Sequence, residues 1–580
     1  MSPAPLSRRS TAAALLASAL DTVAPGAAGR AAMRAAAAPA TAPAVDPAVP
    51  STNAQVTGAP VRVRAPKAAT VDRVYRPRVP LSEPRTSTAS SWSRKVGIGR
   101  MTSGSSASTS AEAALHLARR ASWGATPGLV AEIRAAGATA WVDAQLAPAG
   151  IADTEMDALL AAQWPRLSMA IWEVHDAYWP SSTGDLGNDL VQSYVARALW
   201  SRRQLLEVLV DFWTNHLVVT APWGDAWDSA HRFHADVIRK HALGRYADML
   251  VAAAKHPAML EQLDNASSTK RAPNENFGRE VLELHTVGHD GGYLESDILR
   301  SALVLTGMSV DDESGEYQYR HIRHHKGRID ILGFSHANDS AFGEAAGVAY
   351  LTHLARHPRT ARRIATKLCV RFVADAPPAA LVDRLAQVYL ANDTRIAPVV
   401  RALLLSPEFA ASTGQKTKRP LENLVSTARV LGARPGADTK DWLRELLWAA
   451  RVAGQAPMAW PAPNGYPDVA GAWAGAGAVL ACWNWHMSQG WEATSSTPEI
   501  SYPALRTLLP ATLPATYGGY VDALATRLLH APLPATKRDA VCAFLDRTAA
   551  TALKPTDPAV GWRLPYVVAL VLDSPEFATR

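Results

Sequence analysis

The stretch Pro273-Asn-Glu-Asn-Phe-Gly-Arg-Glu-Val-Leu-Glu-Leu-His-Thr-Val-Gly288 decides how this chain is read. Pro273 ends whatever precedes it, Asn274 is a good helix N-cap, and Gly288 suits the residue just past a helix. The spacing therefore predicts one capped helix over 274–287. At about 100° per residue, Asn276, Glu280 and Glu283 share a face, while Phe277, Val281 and Leu284 form an apolar stripe. Glu275 and Arg279 form an i,i+4 pair elsewhere on the surface. Such a helix is half buried, and its inward carboxylates must be paired, protonated or bound to metal.

Around it, helical periodicity dominates from Ala111 onward, over 111–120, 126–136, 138–146, 189–217, 230–254, 346–373, 378–390, 395–405, 421–432 and 440–453. The expected fold is mainly α, a large multi-helix array with a small β-hairpin insertion at 306–334. There, Met308-Ser-Val310 and Glu316-Tyr-Gln-Tyr319 flank Asp311-Asp-Glu-Ser-Gly315, and Arg328-Ile-Asp-Ile-Leu332 is read as a third strand. The acid cluster Asp311–Glu313 suits either a calcium ion or a solvated hairpin turn. A helical domain over 111–415 is followed by a helical part, 416–580, packed on the same body. An internal echo runs through its later half. Ile364-Ala-Thr-Lys-Leu368 leads to Leu405-Ser-Pro-Glu-Phe409, and Leu524-Ala-Thr-Arg-Leu528 leads to Asp573-Ser-Pro-Glu-Phe577. Ser-Pro-Glu-Phe is a helix start, so two similar helical subunits are expected on a common core.

The charge of +7 is unevenly spread. Residues 1–110 hold 14 Arg and Lys against 4 Asp and Glu, leaving 45 against 48 in the remainder. The body carries no basic footprint, so nucleic acid is not expected as a partner. Arg8-Arg9 precede a short apolar run, Thr11–Leu20, the layout of a twin-arginine export signal within residues 1–30. That run is too short to anchor in a bilayer, so no transmembrane helix is expected after signal removal. Residues 31–110, rich in Ala, Pro, Ser and Arg, read as a disordered arm. The expected location is the cell envelope or the extracellular space. Cys369, Cys482 and Cys542 permit at most one disulfide, and Cys369 and Cys542 read as buried small hydrophobes.

The opening stretch also resembles the signature of the bacterial family called domain of unknown function 1800, whose pattern runs P-N-E-N-F-[AG]-R-E-L-L-E-L. Other stretches fit that family in the same order: Arg119-Arg120-Ala-Ser-Trp-Gly-Ala-Thr-Pro127, Asp211-Phe-Trp-Thr-Asn-His216, Pro257–Asn265, Thr306-Gly307, Lys367–Val373, Ser406–Phe409 and Gly454–Pro457. The resemblance spans roughly residue 112 to the C-terminus. The family's name records that no activity is established. Arg323-His324 with Gly327 fits its R-H-x-x-G element, but the H-D pair common nearby is absent. Its Y-T-E-x-D becomes Tyr293-Leu-Glu-Ser-Asp297, without the capping Thr.

Chemistry is sought on two helices. Arg203, Glu207, Asp211 and Asn215 form a polar stripe that faces water or lines a polar cavity, and His216 lies one step round. Asp211 and His216 facing Glu280 and Glu283, with Asn276 beside them, would make a catalytic set. Glu280, Glu283, Asp211 and His216 would then hold a divalent metal, or act as metal-free acid and base. The competing reading pairs these carboxylates with Arg279, Arg300 or Arg203 to fix helix register. His285 lies about 200° from Glu283 on an α-helix and belongs to another wall or to the core. His231, His234 and His241 are metal ligands or hydrogen-bonding groups on one helix; His321, His324 and His325 follow the hairpin. The 18 tryptophans exceed the 9 phenylalanines, and cluster at 172–227 and 460–485. They suit core packing, sugar stacking or interfaces. Two functions follow: an exported hydrolase of the envelope, or a non-catalytic envelope protein that binds glycan or a protein partner through Trp-rich clefts.

Overall fold

The computed structural model describes residues 109–178, 185–222 and 224–580. The expected signal region and, but for its last two residues, the expected disordered arm lie outside them, as do Trp179 and Trp223. The described chain is mainly helical, and residues 111–415 and 416–580 contribute to one continuous apolar core. Among the described residues no helix is long and apolar enough to cross a membrane.

The first helices are α1 (Ala111–Ala121), α2 (Pro127–Ala136), α3 (Ala138–Gln145), α4 (Thr154–Gln163) and α5 (Ile171–Tyr178). The expected helix 189–217 divides into α6 (Asp185–Trp200) and α7 (Gln204–Thr214). Ser201 donates to Asp153 Oδ2 and Arg202 N donates to Asp153 Oδ1, so a neighbouring carboxylate satisfies the break. α7 is the central helix: nine of its 11 residues are buried. The expected helix 230–254 is likewise interrupted. α8 (Ala230–Arg232) passes directly into a π-helix, Phe233–Arg239, and a turn at Gly244 separates it from α9 (Tyr246–Ala254). α10 spans Pro257–Gln262.

The signature stretch is not one α-helix. Asn274 does cap it, accepting from the amides of Asn276 and Phe277. α11 (Glu275–Glu280) then widens into a π-helix over Val281–His285. The cause is a set of outside partners for the freed carbonyls. Thr286 Oγ1 donates to Val281 O, Arg363 to Leu284 O, and the Tyr246 hydroxyl to His285 O. Widening re-aims the apolar face, so Leu282 is fully buried and Leu284 only half-buried. Gly278 lies where α11 meets α12 (Glu295–Leu305); a Cβ there would sit 2.7 Å from Ala302 N. The lost capping Thr is replaced by Asp297, which accepts from Leu294 N at the start of α12.

The insertion holds two separate hairpins rather than one three-stranded sheet. β1 (Met308–Val310) pairs antiparallel with β2 (Tyr317–Tyr319), and β3 (Ile329–Ile331) with β4 (Phe334–His336). Gly333, at φ +82°, turns the second hairpin, which sends β3 to β4 instead of to β2. Asp311 closes the first turn by accepting from Ser314 N and Oγ at its Oδ1. α13 (Glu344–Ala355) and α14 (Pro358–Phe372) replace the expected 346–373, because Pro358 has no amide to continue the first.

The internal echo is a structural repeat. α14, α15 (Ala379–Ala391) and α16 (Ile396–Leu404) pack together and lead into α17 (Pro407–Ala410). After α18 (Pro420–Leu431), α19 (Thr439–Val452) and α20 (Ala476–Glu492), the unit returns. α21 (Tyr517–Leu529), α22 (Ala535–Phe544) and α23 (Leu564–Leu572) lead into α24 (Pro575–Ala578). In each, the Glu of Ser-Pro-Glu-Phe pairs with the second helix: Glu408 with Arg384, Glu576 with Lys537. The two units meet where Thr417 and Thr579 form an antiparallel bridge. β5 (Arg434–Pro435) and β6 (Ile500–Ser501) add one further short pair.

One position tests how tightly α7 is held. Gly465, at φ +73°, would place a Cβ 2.1 Å from Asn215 O. Gly465→Ala is expected to destabilise by about 2 kcal/mol or more, from left-handed backbone strain plus the clash. Urea unfolding measures it, with Gly471→Ala, where nothing stands within 4 Å, as the neutral comparison.

Candidate functional site

The C-terminal end of α7 sends its polar residues in three directions. Asp211 accepts from the Tyr194 hydroxyl and from Arg419 Nη2, with Arg371 Nη2 at 3.9 Å. Asn215 binds the Tyr466 backbone twice, donating to its carbonyl and accepting from its amide. His216 lies between Lys367, whose Nζ is 2.8 Å from Nδ1, and the Tyr246 hydroxyl, 3.0 Å from Nε2. Since that hydroxyl donates its proton to His285 O, it accepts from His216 Nε2, which leaves Nδ1 to accept from Lys367. The order Lys367, His216, Tyr246, His285 carbonyl is thus fixed, with a neutral imidazole. Burial depresses His216, with the charge of Lys367 adding; burial also takes Lys367 down to about 7, with Arg363 adding.

Asp211 opens onto a larger buried ion network. Glu422, at the start of α18, pairs with Arg371, Arg580 and Arg419. Asp468 pairs with Arg580 at 2.8 Å and Lys416 at 3.1 Å, and Lys416 reaches Asp375. Four cations (Arg371, Lys416, Arg419, Arg580) thereby face four carboxylates (Asp211, Asp375, Glu422, Asp468). Arg120 completes the cluster through the carbonyls of Phe372, Val373 and Ser412. Burial alone would raise Asp211 and Glu422; Arg419 and Arg371 more than reverse this and hold both below the usual carboxylate range. Glu207, from the same stripe, is held bidentately by Arg239. The stripe on α7 therefore faces partners rather than water. Asp211, Thr214 and Asn215 line only a cavity of about 20 Å³.

The signature carboxylates have a different setting. Glu283 accepts from the Tyr293 hydroxyl at 2.7 Å and from Arg279 at 3.4 Å, with His289 Nδ1 at 2.9 Å. Glu280 is half-buried; burial raises its carboxyl, and Glu283 beside it adds to the rise. Asn276 is exposed. What joins the two signature helices is His216 against His285, rings 6.2 Å apart, and not their carboxylates. Among the described residues no group of three or more His, Cys, Asp or Glu is placed to hold a metal ion. Asp211, His216, Glu280 and Glu283 each have their own surroundings instead. Of the anticipated arginine partners, Arg279 does take Glu283, but Arg300 takes Asp297 and Arg203 binds Ile151 O. Arg419 and Glu422, the centre of the network, carried no signal beyond a Pro-started helix; Arg371 and Lys367 lay in a quoted family stretch.

Two of the other histidines hydrogen-bond to the backbone of neighbouring segments. His231 Nε2 lies 2.9 Å from Met169 O, and His324 is buried between Thr306 O and Asn338 Oδ1. The three cysteines are free and buried. Trp123, Trp141, Trp164, Trp213, Trp442 and Trp485 are core residues, whereas Trp172, Trp448, Trp483 and Trp562 are exposed. Trp172, 53% exposed on α5, walls a groove of about 590 Å³. Tyr317 forms another wall, its ring 5.0 Å from Lys255 Nζ and its hydroxyl donating to Glu344. Glu173, Arg232, Asp236 and Lys240 supply charged groups along the groove.

The family model described as Protein of unknown function (DUF1800) matches residues 116–579. The chain belongs to this family. No curated protein and no solved structure matches it. Three of the matched stretches, 211–216, 273–288 and 367–373, meet around His216, Lys367 and the π-turn at 281–285.

Two measurements bear on this arrangement. Asp211→Asn leaves Arg419 short of its counter-charge and is expected to cost about 3–5 kcal/mol in denaturant unfolding. Lys367 loses its proton near 7 when folded and near 10.5 when unfolded. The unfolded chain thus binds the extra proton between those values, and folding stability rises with pH across that window. The difference between wild type and Lys367→Met, followed from pH 7 to 10, should increase; a flat difference contradicts the assignment.

Proposed function

We propose that this is an exported, non-catalytic protein of the cell envelope that binds a glycan-like polymer in the groove walled by Trp172 and Tyr317. The observation that carries the reading is an indole, 53% exposed, on a hollow of about 590 Å³, a size suited to a short stretch of sugars. An indole face packs against the C–H face of a pyranose, and charged side chains at the edges bind its hydroxyls. Arg232 and Asp236, held to each other as an i,i+4 pair, present such groups without further ordering cost. Export rests on the twin arginines and short apolar run near the N-terminus. Pull-down on isolated cell-wall polysaccharide tests the binding. Trp172→Ala is expected to weaken it about tenfold or more, and Trp448→Ala, at an equally exposed indole, to leave it unchanged. Equal retention of both variants would reject the groove.

A second reading, a metal-free hydrolase, is favoured by one feature. Glu280, whose carboxyl is raised by burial and by the neighbouring Glu283, stands beside Glu283, which is held by Arg279 and Tyr293, so two carboxyl groups in unlike surroundings sit together. Glu280→Gln would remove any polysaccharide- or ester-hydrolysing activity while leaving polymer binding in place.

A further inference from the structure

The break between α6 and α7 fixes the backbone of one residue and leaves its side chain unused. Arg202 N donates to Asp153 Oδ1, and Arg202 O accepts from Gln145 Nε2, while Gln145 Oε1 takes the amide of Leu205. The Arg202 guanidinium is exposed and forms no hydrogen bond or ion pair among the described residues. Arg429, from α18, reaches the same place. Its Nη1 donates to Ala198 O and Leu199 O at the end of α6, and its Nε to Gly124 O at 3.4 Å. These bonds cap the helix, yet among the described residues Nη2 has no partner and the charge has no carboxylate within ion-pair distance. Burial alone takes Arg429 down to about 10, since no acid stands near enough to lift it.

Both arginines line a groove of about 550 Å³ bounded by α2, α3 and the turn after α6. That volume suits a small molecule. Trp200 forms one wall. It is half-buried and held in place, its ring centre 6.3 Å from that of Trp442 and its Nε1 donating to Ala433 O. Leu129, Ile151 and Ala152 add apolar surface. The lining holds one carboxylate, Glu132, which accepts from Trp141 Nε1 at 3.1 Å and pairs with no cation among the described residues. Two guanidinium groups against one carboxylate leave an excess of one positive charge. The unspent charged donors of the groove belong to Arg202 and Arg429, and a planar fork of N–H groups takes a carboxylate or a phosphate through paired bonds. Because the Arg202 backbone is already held from both sides, little ordering cost remains when its side chain binds. An aromatic or apolar group next to such an anion covers the indole of Trp200.

We propose that this groove binds a small molecule that joins an aromatic or apolar body to a terminal anion, a carboxylate or a phosphate, with the anion on Arg202 and Arg429 and the body against Trp200. The site is separate from the Trp172 groove and does not rest on the glycan reading. The full chain is titrated with phenylacetate and with phenyl phosphate, against uncharged phenylacetamide and benzyl alcohol at matched ionic strength, by calorimetry and by thermal unfolding. Saturable binding of at least one of the two anions is expected, with an upward shift of Tm, and the uncharged compounds should bind at least about tenfold more weakly. Tighter binding of phenyl phosphate assigns the site to a phosphorylated ligand, and tighter binding of phenylacetate to a carboxylic acid. Arg202→Gln should weaken binding of the anion about tenfold or more. Ala144→Glu, which sets a carboxylate at an exposed position on the wall, should weaken it at least as much. Arg429 is left in place because it also caps α6. Residues 202 and 144 are both exposed, so the Tm of either variant without ligand should match wild type, which separates lost binding from misfolding. No saturable binding of either anion, equal affinity for the charged and uncharged compounds, or full binding of the anion in Arg202→Gln overturns the proposal.

Discussion

The fold depends on charges that have been taken out of water and made to neutralise one another. Asp211, Glu422, Asp468 and Asp375 stand against Arg371, Arg419, Arg580 and Lys416, and these residues come from α7, α14, α18 and the segments around 375, 416, 468 and 580. An apolar core attracts without direction, and many helix arrangements would bury its leucines equally well. A buried ion pair is intolerant: any register that leaves one member alone carries a cost of several kcal/mol. We read the network as the element that selects one packing of the helices, because it ties early, middle and late parts of the chain to one place.

This view changes what the family stretches mean. In Asp211-Phe-Trp-Thr-Asn-His216 three of the four polar residues each engage a different partner: the ion network, the loop at Tyr466, and α14 through Lys367. Phe212 and Trp213 fill the core between them. Such a stretch needs no substrate to account for its composition. The same holds for the π-turn after α11, where Thr286, Arg363 and Tyr246 collect carbonyls that an α-helix would have satisfied internally. Binding chemistry is better sought where aromatic faces meet solvent, at the groove beside Trp172.

The repeated three-helix unit explains the later half economically. Two copies end in Ser-Pro-Glu-Phe, each clipped to its own second helix by the glutamate, and they join through the strand-like segments that follow. Phe409 packs on His116 and Phe577 beneath Lys418, so the two copies end against different side chains.

The sequence by itself determined the helical class, the caps at Asn274 and Ser406, the repeat and the family, since these follow from local periodicity and single-residue backbone chemistry. It placed Glu280 and Glu283 on one helix but not their surroundings. The tertiary structure decided that Asp211 meets Arg419, 208 positions away, that β3 pairs with β4, and that helix 274–287 widens at Val281. The first and last of those outcomes depend on partners remote in sequence, a guanidinium and the side chains from α9 and α14 that claim backbone carbonyls, whereas the hairpin turns on Gly333 between its own strands. Periodicity within one segment carries no information about which distant group will arrive, so a co-facial pair of acids read from a helical wheel cannot say whether it opens to a ligand or closes on an arginine.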